Sequence, residues 1–164
     1  GQCAALVDLR LSRNSFTGSI PSQMGACTGL LTLLLDQNRM MGEVPMEIGN
    51  FTKLKELNLS KNKFTGELPA TIGNCVKLQR LELLHNQFKG KIPDELGKCI
   101  ELEELGLGIN QLTGEVPMSF GNFKKLKRLN LLSIPKLTVT KKVKRAIRIA
   151  APTAKCDWPR LQSS

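Results

Sequence analysis

Three leucine columns recur through this chain at a fixed spacing of 24 residues. The first holds Leu6, Leu30, Leu54, Leu78, Leu102 and Leu126. The second holds Leu9, Leu33, Leu57, Leu81, Leu105 and Leu129, and the third Leu11, Leu35, Leu59, Leu83, Leu107 and Leu131. A rigid period of this length is the signature of stacked repeats, in which each unit buries its apolar face only against its neighbours. The L-x-x-L-x-L spacing fits one short strand per coil, with inward side chains stacked on those of the next coil, so every coil adds a strand to a parallel sheet. With 41% hydrophobic but only 4% aromatic residues, the core of such a stack is aliphatic and layered.

Further columns share the period. Asn14, Asn38, Asn62, Asn86 and Asn110 place an amide, with donors and an acceptor, where the chain turns inward, and this predicts a buried asparagine ladder. Phe16, Met40, Phe64, Phe88 and Leu112, then Ile20, Val44, Leu68, Ile92 and Val116, then Met24, Ile48, Ile72, Leu96 and Phe120 are expected to fill the interior behind the strands. Gly66 and Pro69, with their equivalents at Gly18/Pro21, Gly42/Pro45, Gly90/Pro93 and Gly114/Pro117, punctuate each coil. Glycine permits a sharp turn there. Proline fixes φ and lacks an N–H, so it is expected to help end a second short extended segment on the back of the coil.

The unit as it stands in LKELNLSKNKFTGELPATIG resembles the plant-type leucine-rich repeat, and the match runs from residue 1 to about residue 132. The resemblance implies a leucine-rich repeat solenoid, a right-handed coil of about six 24-residue repeats with a parallel β-sheet on the concave face and a C-terminal cap. It also implies the role of the ectodomain repeats of receptor-like kinases and receptor-like proteins, which recognise peptides, hormones or other proteins without catalysis. The chain departs from the receptor pattern in that no paired-cysteine cap precedes the first repeat. Gly1 and Cys3 fall in register with Gly25 and Cys27, so the chain is read as starting inside a repeat. Residues 1–132 are taken as the array and 133–164 as a basic capping segment of the same domain. An extracellular or cell-surface location is implied by the resemblance; unpaired cysteines and the lack of a visible leader fit an intracellular one.

The formal charge of +10 is concentrated at one end. Residues 1–123 carry 12 Lys and Arg against 13 Asp and Glu, whereas residues 124–164 carry 12 against one. In TVTKKVKRAIRIAA, residues 138–151, Val139, Val143, Ala146, Ile147 and Ala150 fall near one helical face, with Lys141, Lys142, Lys144, Arg145 and Arg148 largely opposite. The consensus Asn, Gly, Pro and second Gly are replaced by Ile134, Thr138, Lys141 and Arg145, so the repeat is expected to stop there, and a basic amphipathic helix is expected to cap the open end. The alternative use of this segment is an electrostatic anchor to nucleic acid or an anionic membrane. Aromatics interleaved for stacking on bases are missing.

The exposed strand positions supply the candidate binding residues for a protein or peptide ligand: Asp8, Thr32, Glu56, Arg80, Glu104 and Arg128 in one column, and Arg10, Leu34, Asn58, Glu82, Gly106 and Asn130 in the next. Leu84, Ile109 and Leu132 form an apolar cluster around Gly108, to be covered either by the tail after Pro135, with Trp158, or by a partner. His85 is expected on the same face, near Ser60 one coil back and Asp36 two coils back. That order puts serine in the middle, whereas a hydrolase triad needs the imidazole between nucleophile and acid, so His85 reads as an exposed recognition residue and no enzyme is expected. No cofactor or metal site is expected, since zinc spacing is absent. Cys3, Cys27, Cys75 and Cys99 share a column with Phe51 and Phe123, a slot that suits reduced core thiols, although adjacent coils bring Cys3 near Cys27 and Cys75 near Cys99. Asn50 and Asn58 head two N-x-S/T triplets and are candidate glycosylation sites.

Overall fold

The computed structural model describes Cys3 and residues 5–159 of the 164-residue chain. Twelve short strands follow one another: β1 Asp8–Arg10, β2 Thr32–Leu34, β3 Met41–Glu43, β4 Glu56–Asn58, β5 Lys63–Thr65, β6 Arg80–Glu82, β7 Lys89–Lys91, β8 Glu104–Gly106, β9 Gln111–Glu115, β10 Arg128–Asn130, β11 Lys136–Thr138 and β12 Lys155–Asp157, with one α-helix, α1, at Lys141–Ala150. Seven of them form the front sheet in the order β1-β2-β4-β6-β8-β10-β12, all parallel. Its register is the 24-residue period itself, since Leu33, Leu57, Leu81 and Leu105 pair in sequence from coil to coil. The leucines of these columns are buried from Leu30 to Leu131. This is the leucine-rich repeat solenoid.

On the back, β3 pairs with β5 and β7 with β9 and β11. Gly66 ends one such segment at φ +76°, a left-handed conformation that glycine adopts without penalty. Pro69 then opens a new element, which adds to its expected role as a strand terminator. Its carbonyl accepts the N–H of Ile72 at 3.0 Å, starting the 3-10 helix Ala70–Asn74, and equivalent helices follow Pro21, Pro45, Pro93 and Pro117. These helices pack so tightly that a Cβ on Gly73 would lie 2.7 Å from the carbonyl carbon of Glu95 in the next coil.

The asparagine ladder forms at Asn38, Asn62, Asn86 and Asn110, all buried. Asn62 is representative: its Nδ2 donates to Leu35 and Leu59 carbonyls at 2.9 and 3.1 Å, and its Oδ1 accepts the Met40 N–H at 3.0 Å. The first coil departs from expectation. Asn14 is exposed and, among the described residues, donates only to carbonyls of its own coil, Phe16 is 45% exposed, and Leu6, Leu9, Leu11 and Met24 are half-buried, because the described structure stacks on them from one side alone.

Cysteine chemistry also differs from the expectation of four reduced thiols. Cys3 and Cys27 are joined in a disulfide, their Cα atoms 4.7 Å apart, a separation that coil stacking produces directly. Cys75 and Cys99 are buried free thiols, donating to the carbonyls of Ile48 and Ile72 at 3.3 and 3.5 Å.

The repeat geometry runs one coil beyond its consensus, where the sequence led us to expect a stop. Ile134 occupies the asparagine slot and is buried, β11 pairs with β9, and β12 pairs with β10 with Cys156 opposite Leu129. Between them α1 is capped by Thr140, whose Oγ1 accepts the Val143 N–H at 3.2 Å, and it buries Val143 and Ile147 against the Met118–Asn122 helix. The edge of β10 and the last leucines are thereby covered, with β12 as the terminal strand of the front sheet.

Candidate functional site

The strands β2 to β10 present two outward columns on the concave face, and their chemistry separates once neighbours are considered. In the first column Arg80 lies between two carboxylates, its guanidinium 3.4 Å from Glu56 and 3.2 Å from Glu104, so three coils share one ion-pair ladder. Thr32, expected to be exposed, is buried, because its short side chain lies in the trough of a column flanked by Asp8 and Glu56. Arg80 and the ladder carboxylates line an open depression of about 380 Å³ together with Lys55, Gln79 and Glu103. A shallow, polar trough of that kind can hold an extended chain by its backbone and side chains.

In the second column Arg10 is exposed, 3.4 Å from Asp8, while Leu34 and Asn58 are half-buried. Asn58 Oδ1 accepts the Ser60 N–H at 3.0 Å. Glu82 differs from every other acid of this face. It leans over Gly106 in the next coil, where a Cβ would collide with its Oε2, and that oxygen is buried with no hydrogen-bond partner among the described residues. Burial, reinforced by Glu104 and opposed by Arg80 and Arg128, pushes the Glu82 carboxyl up to about 6. By contrast Glu103 is held below the usual carboxylate range by its hydrogen bond to Lys127.

Leu84 lies across Gly106 and Gly108, half-buried, with its Cδ2 3.1 Å from where a Gly108 Cβ would stand. Ile109 and Leu132 are 48% and 37% exposed, so the described residues of the tail do not cover this cluster as the first of the two readings required; Trp158 instead packs against the core end under the Lys144 ammonium, 5.3 Å from its ring centroid. Ile109 also has φ 54°. It belongs to a column of left-handed residues, Arg13, Gln37, Lys61, His85, Ile109 and Ser133, and is the β-branched one whose side chain fits that conformation least.

His85 is exposed at the edge of this face. No relay joins it to the acid two coils back: Asp36 accepts from Ser12 at 2.5 Å, and the buried Ser60 Oγ has no partner among the described residues. Asn50 is exposed, with Nδ2 3.3 Å from the Gly25 carbonyl. Lys141, Lys142, Arg145 and Arg148 are exposed on α1, whose apolar face is occupied by the array. Among the described residues no helix is long and apolar enough to cross a membrane, and no group of His, Cys, Asp and Glu is placed to hold a metal ion. The sequence places Gly106 and Gly108 on this face, but does not reveal that they let Glu82 and Leu84 lie down and become partly buried. A glycine within a column of long side chains is the signal that marks them.

Comparison with known proteins agrees with this geometry. The model of the Leucine Rich Repeat family matches residues 5–27, 53–75 and 77–99. The ectodomain of the Arabidopsis thaliana receptor kinase GASSHO1/SCHENGEN3, solved with CASPARIAN STRIP INTEGRITY FACTOR 2, is 39% identical with a TM-score of 0.76, over 83% of this chain and 16% of that one. PEPR1 in complex with AtPEP1 is 31% identical with a TM-score of 0.86, over 98% and 22%. The Arabidopsis receptor kinase HAESA, solved with the peptide hormone IDA and the co-receptor SERK1, is 29% identical with a TM-score of 0.84, over 94% and 26%. This chain therefore spans a quarter or less of most of these ectodomains' length. No curated protein matches it significantly. Fold, repeat signature and structural neighbours define a leucine-rich repeat solenoid similar in structure to these ectodomains. The repeats of this chain are leucine-rich repeats of the plant type.

Proposed function

We propose that this chain is a non-catalytic scaffold that binds a peptide or protein ligand across the concave face of coils two to six, as part of an extracellular or cell-surface protein. The observation that carries this reading is the composition of that face. A rigid sheet offers side chains of both charges, amides and an apolar cluster within a few strand spacings of about 4.8 Å, a mixture that suits a polypeptide rather than a polyphosphate. The complexes of structurally similar ectodomains with peptide ligands support the same class of partner.

Arg80 and Glu56 stand at its centre, with Glu104, Asn58, Glu82 and Leu34 around them. Capture of a specific partner by the wild-type chain, repeated with Arg80→Glu and Glu56→Lys, tests the assignment. Loss of capture by folded variants supports it, and full retention by both moves the site off the concave face.

A further inference from the structure

We infer that Glu82 is the anchor for a cationic group of the bound polypeptide, an ammonium or guanidinium, and that Leu84, Ile109 and Leu132 seat a large apolar side chain next to that cation in the ligand. The inference deepens the concave-face reading and rests on it. Three acids in or beside the front sheet have no ion pair among the described residues, Asp36, Glu82 and Asp157, but Asp36 accepts from Ser12 and Gln37 and Asp157 is exposed, so Glu82 alone combines burial with the lack of a partner. Asp8 pairs with Arg10, Glu56 and Glu104 pair with Arg80, and Glu103 and Glu101 pair with Lys127 and Lys125. Glu82 has neither an ion pair nor a hydrogen bond among the described residues, although one of its carboxylate oxygens is buried. An acid removed from water without a donor is costly to the fold, and such a group in a native structure calls for a partner.

The glycine at position 106 explains how the carboxylate comes to lie there. Every other coil from β1 to β10 carries a side chain in that column, and at β8 its absence lets Glu82 and Leu84 of the preceding coil lie down on the backbone. The same vacancy at Gly108 is bordered by Leu84, Asn130 and the Leu132 carbonyl. The result is a carboxylate and an apolar floor side by side on one rigid sheet, and Ile109 is held beside them in a left-handed conformation that a β-branched side chain disfavours. The Glu82 side chain is half-buried on the concave sheet, with Oε2 buried over Gly106. A cation brought there gains a charge-assisted hydrogen bond in a partly desolvated setting, where such bonds are strongest.

The test uses an immobilised heptapeptide library with all residues mixed at every position, probed with the intact chain, followed by affinity measurements on the selected sequences. The expected selection enriches Lys or Arg within two positions of Leu, Ile, Phe or Met. Glu82→Gln, which keeps shape and should stay folded, then weakens the selected peptides roughly tenfold or more, and Glu82→Lys abolishes their binding. Peptides selected without a cationic position, or bound equally by Glu82→Gln, overturn the anchor while leaving the concave-face reading intact if Arg80→Glu still weakens them. Enrichment of nothing at all counts against both.

Discussion

Asn86 donates to the carbonyl of Leu59, 3.0 Å away in the preceding coil, and so ties two coils through a buried amide. It also donates to Leu83 at 3.2 Å, and its Oδ1 accepts the Phe64 N–H at 3.0 Å. Asn86→Ala leaves these backbone groups buried without partners, at a cost of about 2–4 kcal/mol. Asn14→Ala, at an exposed position bonded only within its own coil, should cost less than about 1 kcal/mol. Urea unfolding of the two variants measures the contrast; equal losses contradict the ladder's role.

The disulfide of Cys3 and Cys27 clamps the coil that is least buried. Reduction should lower stability by up to about 3 kcal/mol, the scale for a loop of this length. Cys3→Ser should be insensitive to reductant. Burial pushes the Cys75 and Cys99 thiols up to about 12 and 11, so in the native state thiol reagents should modify Cys156, which is half-buried, well before either. Rapid native labelling at Cys75 disproves this.

Stability should rise as pH falls from 6 to 4.5. Glu82 has a folded value near 6 against an ordinary 4.5, so its ionised form is the one disfavoured in the fold. The penalty is complete above about pH 6 and vanishes below 4.5, the opposite sign to Glu103, whose lowered value costs stability only at more acid pH. With solvent screening at this half-exposed site the gain is on the order of 1 kcal/mol. The difference between wild type and Glu82→Gln across that window isolates it, and parallel pH profiles refute it.

Ile109 stores strain at φ 54° and is 48% exposed. Ile109→Asn relieves the conformation and should raise stability by about 1 kcal/mol. The same change removes a wall of the apolar seat and should weaken ligand binding. Thermal unfolding reads the first effect; a lowered melting temperature shows that Ile109 is a packing residue instead.

How much of this was legible in sequence follows from which contacts are periodic. Leu33, Leu57 and Leu81 pair in register with their counterparts one period away, so the columns prescribe the sheet, its register and the buried amides. The seventh front strand was not legible, because Cys156 sits opposite Leu129 without the L-x-x-L-x-L spacing around it. The 3-10 helices were missed since the apolar columns name the buried side and not the backbone path. In the site, the side chains of Glu56, Arg80 and Glu82 could be placed on one face, but their pairing could not. Whether a carboxylate is neutralised depends on which of two equidistant coils its partner leans toward, and Glu82 is set apart by a glycine 24 residues away.

Exposed oxidisable and apolar side chains lie on both faces of the array, which makes hydroxyl-radical footprinting with and without bound ligand the most direct measurement of where recognition occurs. Leu34, Leu84, Ile109 and Leu132 report the concave side, and Met41, Met46 and Met118, all exposed, report the back. Bound ligand should protect the first group and leave the three methionines as reactive as in the free chain. Protection confined to Met41, Met46 and Met118 would contradict recognition on the concave side.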